Sequence, residues 1–265
     1  MTEPTPAGKR QAASDAAADV DSMELSPWSN GRSQRQCGSR RATRMTHSNS
    51  LHARAILTIG LVVLVPACAA VSLPAPIDDI PAFMARGPQT AVFAGGDFSG
   101  VEAVYRHVKG VSSAVPGYAG GTASTADDTL VSRGRTGHAE SVQITYDPMQ
   151  VSYGKLLQIF FAVAHDPTQR NRQGPDVGVQ YRSVIFTTSA DQNRVAKGYI
   201  AQLDQAKVFP GQIVTQVLPL PAFYPAESKY ENHAALNRAQ PYVARYVQPK
   251  IAHLRTEFPE LYTDN

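Results

Sequence analysis

The chain has 265 residues, 43% hydrophobic, 18% charged and 8% aromatic, which is enough apolar content for one substantial core and too much for a wholly disordered polymer. Its two cysteines exclude a disulfide scaffold and a four-cysteine zinc site. The formal charge of +3 comes entirely from residues 1–54, with eight Lys/Arg against five Asp/Glu; residues 55–265 hold seventeen of each, so they make no electrostatic case for nucleic acid.

Residues 1–54 read as a disordered basic leader, rich in Ala, Ser, Gln and Arg and without a sustained apolar period. From Ala55 to Ile77 no residue is charged, and the apolar run AILTIGLVVLV (Ala55–Val65) follows Arg40, Arg41, Arg44 and Arg54. A basic lead, an apolar run of about a dozen residues and then small residues is the layout of an export signal. Pro66 cuts the run short of the roughly 20 residues a spanning helix needs, and a single signal anchor is the alternative. Val65-Pro66-Ala67-Cys68 resembles a bacterial lipobox, with an aliphatic residue three positions before the cysteine and a small one just before it. Residues 55–68 are therefore expected to direct export to the cell envelope, with Cys68 lipidated and the protein held at the membrane or released to the periplasm. The plainer readings are a small buried cysteine or an ordinary Ala-x-Ala cleavage site. Met45 opens a stretch that makes such a signal by itself, so translation is expected to begin there. Ser39-Arg40-Arg41 lacks the apolar residues that should follow a twin-arginine signal.

Residues 69–87 read as a linker, with Leu73-Pro74-Ala75-Pro76 a stiff spacer. Beyond it, short strands alternate with helices. Thr90–Ala94 is a strand, Gly95–Gly100 a glycine-rich turn and Val101–Val108 a short helix ended by Gly110. Val111–Tyr118 and Glu140–Tyr146 are strands. Ser152–Ala164 is an amphipathic helix capped by Ser152, with Leu156, Leu157, Phe160 and Val163 on one face. Tyr181–Thr188 is a strand. Ser189 and Gln192 form a capping box opening a helix to about Lys207. Ile213–Leu218 is a further strand, and the chain after Phe223-Tyr224-Pro225 is helical or irregular. Mixed strands and helices with short connections predict a two-layer α+β domain.

Several segments are polar and glycine-punctuated where a core would be plain: AVFAGGDFSGVEAVY (Ala91–Tyr105), GYAGG (Gly117–Gly121), GRTGHAE (Gly134–Glu140), HDPTQRNRQGPDVGVQYRS (His165–Ser183) and AFYPAE (Ala222–Glu227). In this order and spacing, over residues 88–262, the set closely resembles the A-type peptide methionine-S-sulfoxide reductases. The resemblance implies an α+β sandwich around a ferredoxin-like core, with the site opening from the turn between the first strand and first helix. The family's motif there is Gly-Cys-Phe-Trp-Gly. Its cysteine thiolate, favoured by the helix N-terminus, attacks the sulfoxide sulfur and becomes a sulfenic acid that thiols restore. A glutamate supplies a proton to the sulfoxide oxygen with two tyrosines assisting, and the Phe-Trp pair holds the methyl group.

By that resemblance Glu140 matches the proton-donating glutamate, Asp176 and Tyr181 match the family's Asp and second Tyr, and Phe98 matches the Phe of the methyl pocket. The departures fall on the chemistry. Asp97 stands at the nucleophile's position, Ser99 at the tryptophan's and Asp128 at the other tyrosine's, while Tyr230-Glu231-Asn232-His233 stands where the family reads His-Gln-Asp-Tyr. A carboxylate cannot supply the two electrons that sulfoxide reduction consumes, and residues 69–265 contain no cysteine.

The sequence thus points to a family member without reductase chemistry that still recognises methionine sulfoxide or a protein partner. It implies no cofactor and no resident metal, and a thioredoxin-type reductant would find no thiol product to act on. One alternative is a repurposed site in which Asp97, Asp128, Glu140 and Asp176, with His138 nearby, bind a hard cation or perform hydrolysis; read conservatively, Asp97 only caps its helix. The other is a reductase still working with an external thiol.

Overall fold

The computed structural model describes residues 73–264. The basic leader, Met45, the apolar signal segment and Cys68 lie outside the described residues. In chain order the elements are β1 (Gln89–Gly95), α1 (Phe98–Arg106), β2 (Val111–Ala119), α2 (Asp128–Val131), β3 (Ala139–Tyr146), α3 (Tyr153–Ile159), β4 (Arg172–Gln173), β5 (Asp176–Val177), β6 (Ser183–Thr187), α4 (Ala190–Ala206), β7 (Gln216–Pro219), β8 (Phe223–Pro225), α5 (His233–Leu236) and α6 (Gln248–Glu257). Six strands form one sheet in the order β7-β6-β1-β3-β2-β8, and β4 pairs with β5 as a separate ribbon. Neighbours in the large sheet run antiparallel except β6 and β7. The run β1-α1-β2-β3-α3-β6 supplies the inner order β6-β1-β3-β2, which is the ferredoxin-like core within the two-layer α+β fold expected from the sequence.

β1 lies at the centre of this sheet and is buried on both faces. Ala91 and Phe93 join the main core with Val101, Val104, Tyr105, Leu156 and Phe160, whereas Val92 and Ala94 join a smaller cluster with Ala119, Ala139, Val184 and Phe186. A strand covered on both sides needs no polar alternation, so it reads as an unbroken apolar run. The Phe93 ring is the hub: its centroid lies 4.9 Å from Phe160, 5.7 Å from Tyr105 and 6.1 Å from Tyr153.

The structure shifts several expected boundaries, each for a local reason. The first helix begins at Phe98, not Val101, because Asp97 caps it. The single helix expected over Ser152–Ala164 divides into α3 and a π-helical turn, Phe160–Ala164. Ser152 caps it as expected, accepting from the Lys155 N–H at 3.1 Å. At the other end the His165 ring stacks on Phe160 at 3.9 Å and its Nδ1–H donates to the Phe160 carbonyl at 2.9 Å. Ser189 accepts from the Gln192 N–H, but the Gln192 amide oxygen reaches back to the Thr188 N–H, one residue earlier than a capping box requires. β7 starts at Gln216, not Ile213, because the Val214 N–H bonds to the Pro167 carbonyl and holds that stretch off the sheet. The segment read as a spacer is docked where it is described: Gln158 donates to the Leu73 carbonyl, Tyr199 to that of Pro74 and Gln202 to that of Ala75.

Phe93→Ala empties the hub between sheet and helices. It is expected to cost about 3–5 kcal/mol of stability, the range for deleting a buried aromatic ring. Urea denaturation checks this through the transition midpoint, and a loss under about 1 kcal/mol would contradict the ring's central place.

Candidate active site

The site grows from the β1–α1 junction. A Cβ on Gly95 would lie 2.9 Å from the Phe160 ring, and one on Gly96, whose φ is +99°, would lie 2.5 Å from the Gln173 side chain. Two glycines therefore let the chain turn tightly between packed neighbours. The first N–H groups of a helix lack intrahelical partners, and here two carboxylates take them. Asp97 Oδ1 accepts from the Ser99 N–H at 2.7 Å and also from the Ser99 hydroxyl, and Glu140 Oε2 accepts from the Phe98 N–H at 3.2 Å. The Asp97 bond is charge-favoured at the positive end of the helix dipole.

Three of the expected carboxyl groups converge. Asp97 comes from the α1 cap, Glu140 from β3 and Asp176 from β5, with Tyr181 closing the 3-10 turn Val179–Tyr181 beside them. Glu140 is buried, and burial first, then the charges of Asp97, Asp176 and Asp128, push its pKa far above the ordinary glutamate range against the pull of the Phe98 N–H. Burial and the neighbouring charges thus favour the protonated form, whose O–H can be offered to an acceptor. Burial and the Asp97 charge also raise Asp176, although the Tyr242 hydroxyl donates to it at 2.6 Å and Lys250 draws it down. Burial with the charges of Glu140, Asp176 and Asp97 pushes the Tyr181 phenol up to about 12. Beneath the cluster, burial lowers Lys250 to about 8, while Asp97 and Asp176 favour its charged form. Its Nζ donates to the Ala164 carbonyl at 2.7 Å, and a Cβ on Gly100 would come within 3.1 Å of it.

One wall of the site is aromatic. The Phe98 ring meets Tyr118 at 6.0 Å and Tyr230 at 5.0 Å, both edge to face. Ser99 is buried and turned back to Asp97, so it lines no open recess. Asp128 opens α2 at the rim: its N–H donates to Glu227, its carboxylate pairs with Lys229 at 3.6 Å, and it faces the Tyr230 hydroxyl. His138 does not join the carboxylates. The Gly121 N–H donates to its Nδ1 and its Nε2–H donates to the Thr122 carbonyl, which uses both ring nitrogens. Among the described residues no three His, Cys, Asp or Glu side chains are placed to hold a metal ion, which leaves the cation alternative without a ligand set.

Tyr118, Tyr242 and Lys250 were not singled out from the sequence, and Tyr230 was named only as part of a departure from the family pattern, without a role. Tyr118 lies inside a motif that was noticed, GYAGG. The other three sit in the C-terminal region, where no periodicity marks a side chain that reaches a distant site.

Comparison with known proteins shows the family. Residues 89–261 match the family described as peptide methionine sulfoxide reductase. The chain is 53% identical over 180 residues to peptide methionine sulfoxide reductase MsrA 2 of Mesorhizobium japonicum, covering 68% of this chain and 92% of that protein. It is 49% identical over 190 residues to the MsrA 2 of a Synechocystis strain, covering 71% and 89%. Among solved structures it is similar to reduced Mxr1 from Saccharomyces cerevisiae, with a TM-score of 0.54 at 29% identity, covering 62% of this chain and 91% of that one. It is also similar to methionine sulfoxide reductase A of Corynebacterium diphtheriae, with a TM-score of 0.50 at 33% identity, covering 58% and 77%. The chain belongs to the peptide methionine sulfoxide reductase family.

Proposed function

We propose that this chain binds an oxidised methionine side chain and does not reduce it. The observation that carries the reading is Asp97 at the cap of α1, the position where the sequence resemblance puts the nucleophilic cysteine. Removing oxygen from a sulfoxide consumes two electrons. A thiolate supplies them by becoming a sulfenic acid, and a carboxylate has no corresponding oxidised product. No cysteine lies between residues 69 and 265 to stand in for it. The Asp97 carboxylate is moreover held by the Ser99 N–H and hydroxyl. A thioredoxin-type reductant has neither sulfenate nor disulfide to act on in this domain. The relatives are named as reductases, and of the departures the resemblance assigns to this chain, at Asp97, Ser99, Asp128 and residues 230–233, the one at Asp97 removes the electron donor.

Recognition rests on groups that remain. Glu140, whose protonated form burial favours, offers a proton toward a sulfoxide oxygen, the Tyr181 hydroxyl stays protonated across the physiological range, and Phe98 supplies an apolar surface for the methyl group. Export and attachment to the cell envelope through lipidated Cys68 belong to the same proposal. They are supported by the apolar run Ala55–Val65 and the lipobox-like Val65–Cys68.

With excess dithiothreitol and a methionine-S-sulfoxide peptide, the Cys37→Ser/Cys68→Ser protein is expected to form no methionine above the reductant-only blank by mass spectrometry. Asp97→Cys in that background is expected to turn over. Turnover without Asp97→Cys would overturn the proposal. Binding of the same peptide, followed calorimetrically, is expected to weaken as pH rises and Glu140 loses its proton. The sign follows from the raised folded-state pKa: the donor form exists below that value and is lost above it. Glu140→Gln keeps a hydrogen-bond donor and should bind with a shallower pH profile, the remainder coming from Lys250 at about 8. An unchanged slope in that variant would remove Glu140 from the recognition group.

A further inference from the structure

We infer that Tyr230 is an occluding residue, whose ring occupies the recess over Phe98 that a sulfoxide methyl group would otherwise enter. The inference deepens the recognition reading and rests on it. Phe98 presents the apolar surface of the site, yet only 4% of it is exposed. Tyr230 covers it, standing edge to face at 5.0 Å, with Tyr118 on another side at 6.0 Å. Ser99, beside Phe98 in the chain, is small and turned inward to Asp97, so the covering ring is supplied from the C-terminal part of the molecule.

The segment 226–232 that delivers Tyr230 is strapped across the site at several points. The Ala226 N–H bonds to the Pro116 carbonyl. Glu227 accepts from the Tyr118 hydroxyl and from the Asp128 N–H, each at 3.0 Å. Lys229 pairs with Asp128 at 3.6 Å and lies 4.7 Å from the Tyr230 ring centre. At the far end the Asn232 N–H donates to buried Glu102 at 2.7 Å. These ties are mostly polar and partly exposed, and the Lys229 pair in particular is a surface ion pair of small worth. Lifting the strap parts Ala226 and Tyr230 from the edge of the main core and leaves the fully buried side chains around Phe93 in place. A ligand that uses Phe98 pays for displacing Tyr230, so its apparent affinity falls by the fraction of molecules in which the recess is closed.

The test is binding of two probes, the methionine-S-sulfoxide peptide and dimethyl sulfoxide, to the full chain and its variants. Tyr230→Ala is expected to bind both tighter by about two- to twelve-fold, the range an edge-to-face ring pair contributes. Tyr230→Phe keeps the ring and loses the hydroxyl that faces Asp128, so it should fall between the parent and Tyr230→Ala. Glu227→Ala, which loosens the strap and leaves the ring in place, should move in the same direction as Tyr230→Ala and guards against a variant that misfolds. In Tyr230→Ala, nuclear Overhauser contacts should connect the methyl groups of dimethyl sulfoxide to the Phe98 ring. Equal or weaker binding by Tyr230→Ala than by the parent overturns the occlusion while recognition stands. Binding of dimethyl sulfoxide by Tyr230→Ala with no peptide binding by any variant keeps the occlusion and removes peptide recognition. If neither probe binds any variant, both inferences fall.

Discussion

The start of α1 is held by two carboxylates that divide its free N–H groups, Asp97 taking that of Ser99 and Glu140 that of Phe98. The rest of the site depends on this division. It fixes where the helix begins, turns Ser99 inward, sets Phe98 against Tyr118 and Tyr230, and ties β3 to the helix through Glu140. The field of a helix N-terminus favours any anion, thiolate or carboxylate alike. Asp97 therefore satisfies the electrostatics of the position and contributes on the order of 1 kcal/mol as a cap. What it cannot do is change oxidation state. The forces that preserve the fold at this junction are thus separate from the electrons that the family's reaction requires, and fold and activity can part there.

Charge balance is the second constraint. Asp97, Glu140 and Asp176 lie close enough to interact electrostatically, with half-buried Lys250 as the cation that faces Asp97 and Asp176. Three ionised carboxylates with one cation would repel, and the balance shifts Glu140, the buried one, toward its protonated form. Tyr242 relieves Asp176 through a hydrogen bond. Both Tyr242 and Lys250 come from the chain beyond α5, as does the Tyr230 strap from the chain just before it. The C-terminal part, which adds only β8 to the sheet after β7, is the part that closes and neutralises the site.

Much of the fold was legible because burial leaves a pattern. The strands β1 and β6 are short, mostly apolar runs, β2 and β3 carry Val, Ile, Thr and Tyr between glycine or polar turns, and Ser152 and Ser189 announce the helices they cap. The boundaries that moved did so through contacts between distant residues: Val214 with Pro167, His165 with Phe160, and Gln158, Tyr199 and Gln202 with the segment taken for a spacer. β8, three residues long, was missed because its strand character comes from pairing with β2 and not from its own composition. In the site, the motifs identified Asp97, Phe98, Glu140, Asp176 and Tyr181 by resemblance. The aromatic cover over Phe98 was not readable, since Tyr230 reaches it across more than a hundred residues of chain.

The central claim is that the site holds no two-electron donor. It is tested most directly by a single-turnover measurement without added reductant, using protein in which Cys37 and Cys68 have been alkylated. The protein, in molar excess over a methionine-S-sulfoxide peptide, is incubated and the peptide is weighed by mass spectrometry. The account predicts that the sulfoxide is recovered unchanged and that the protein mass does not increase by an oxygen. Methionine formed in proportion to the protein, with a matching gain of oxygen on the chain, would contradict it.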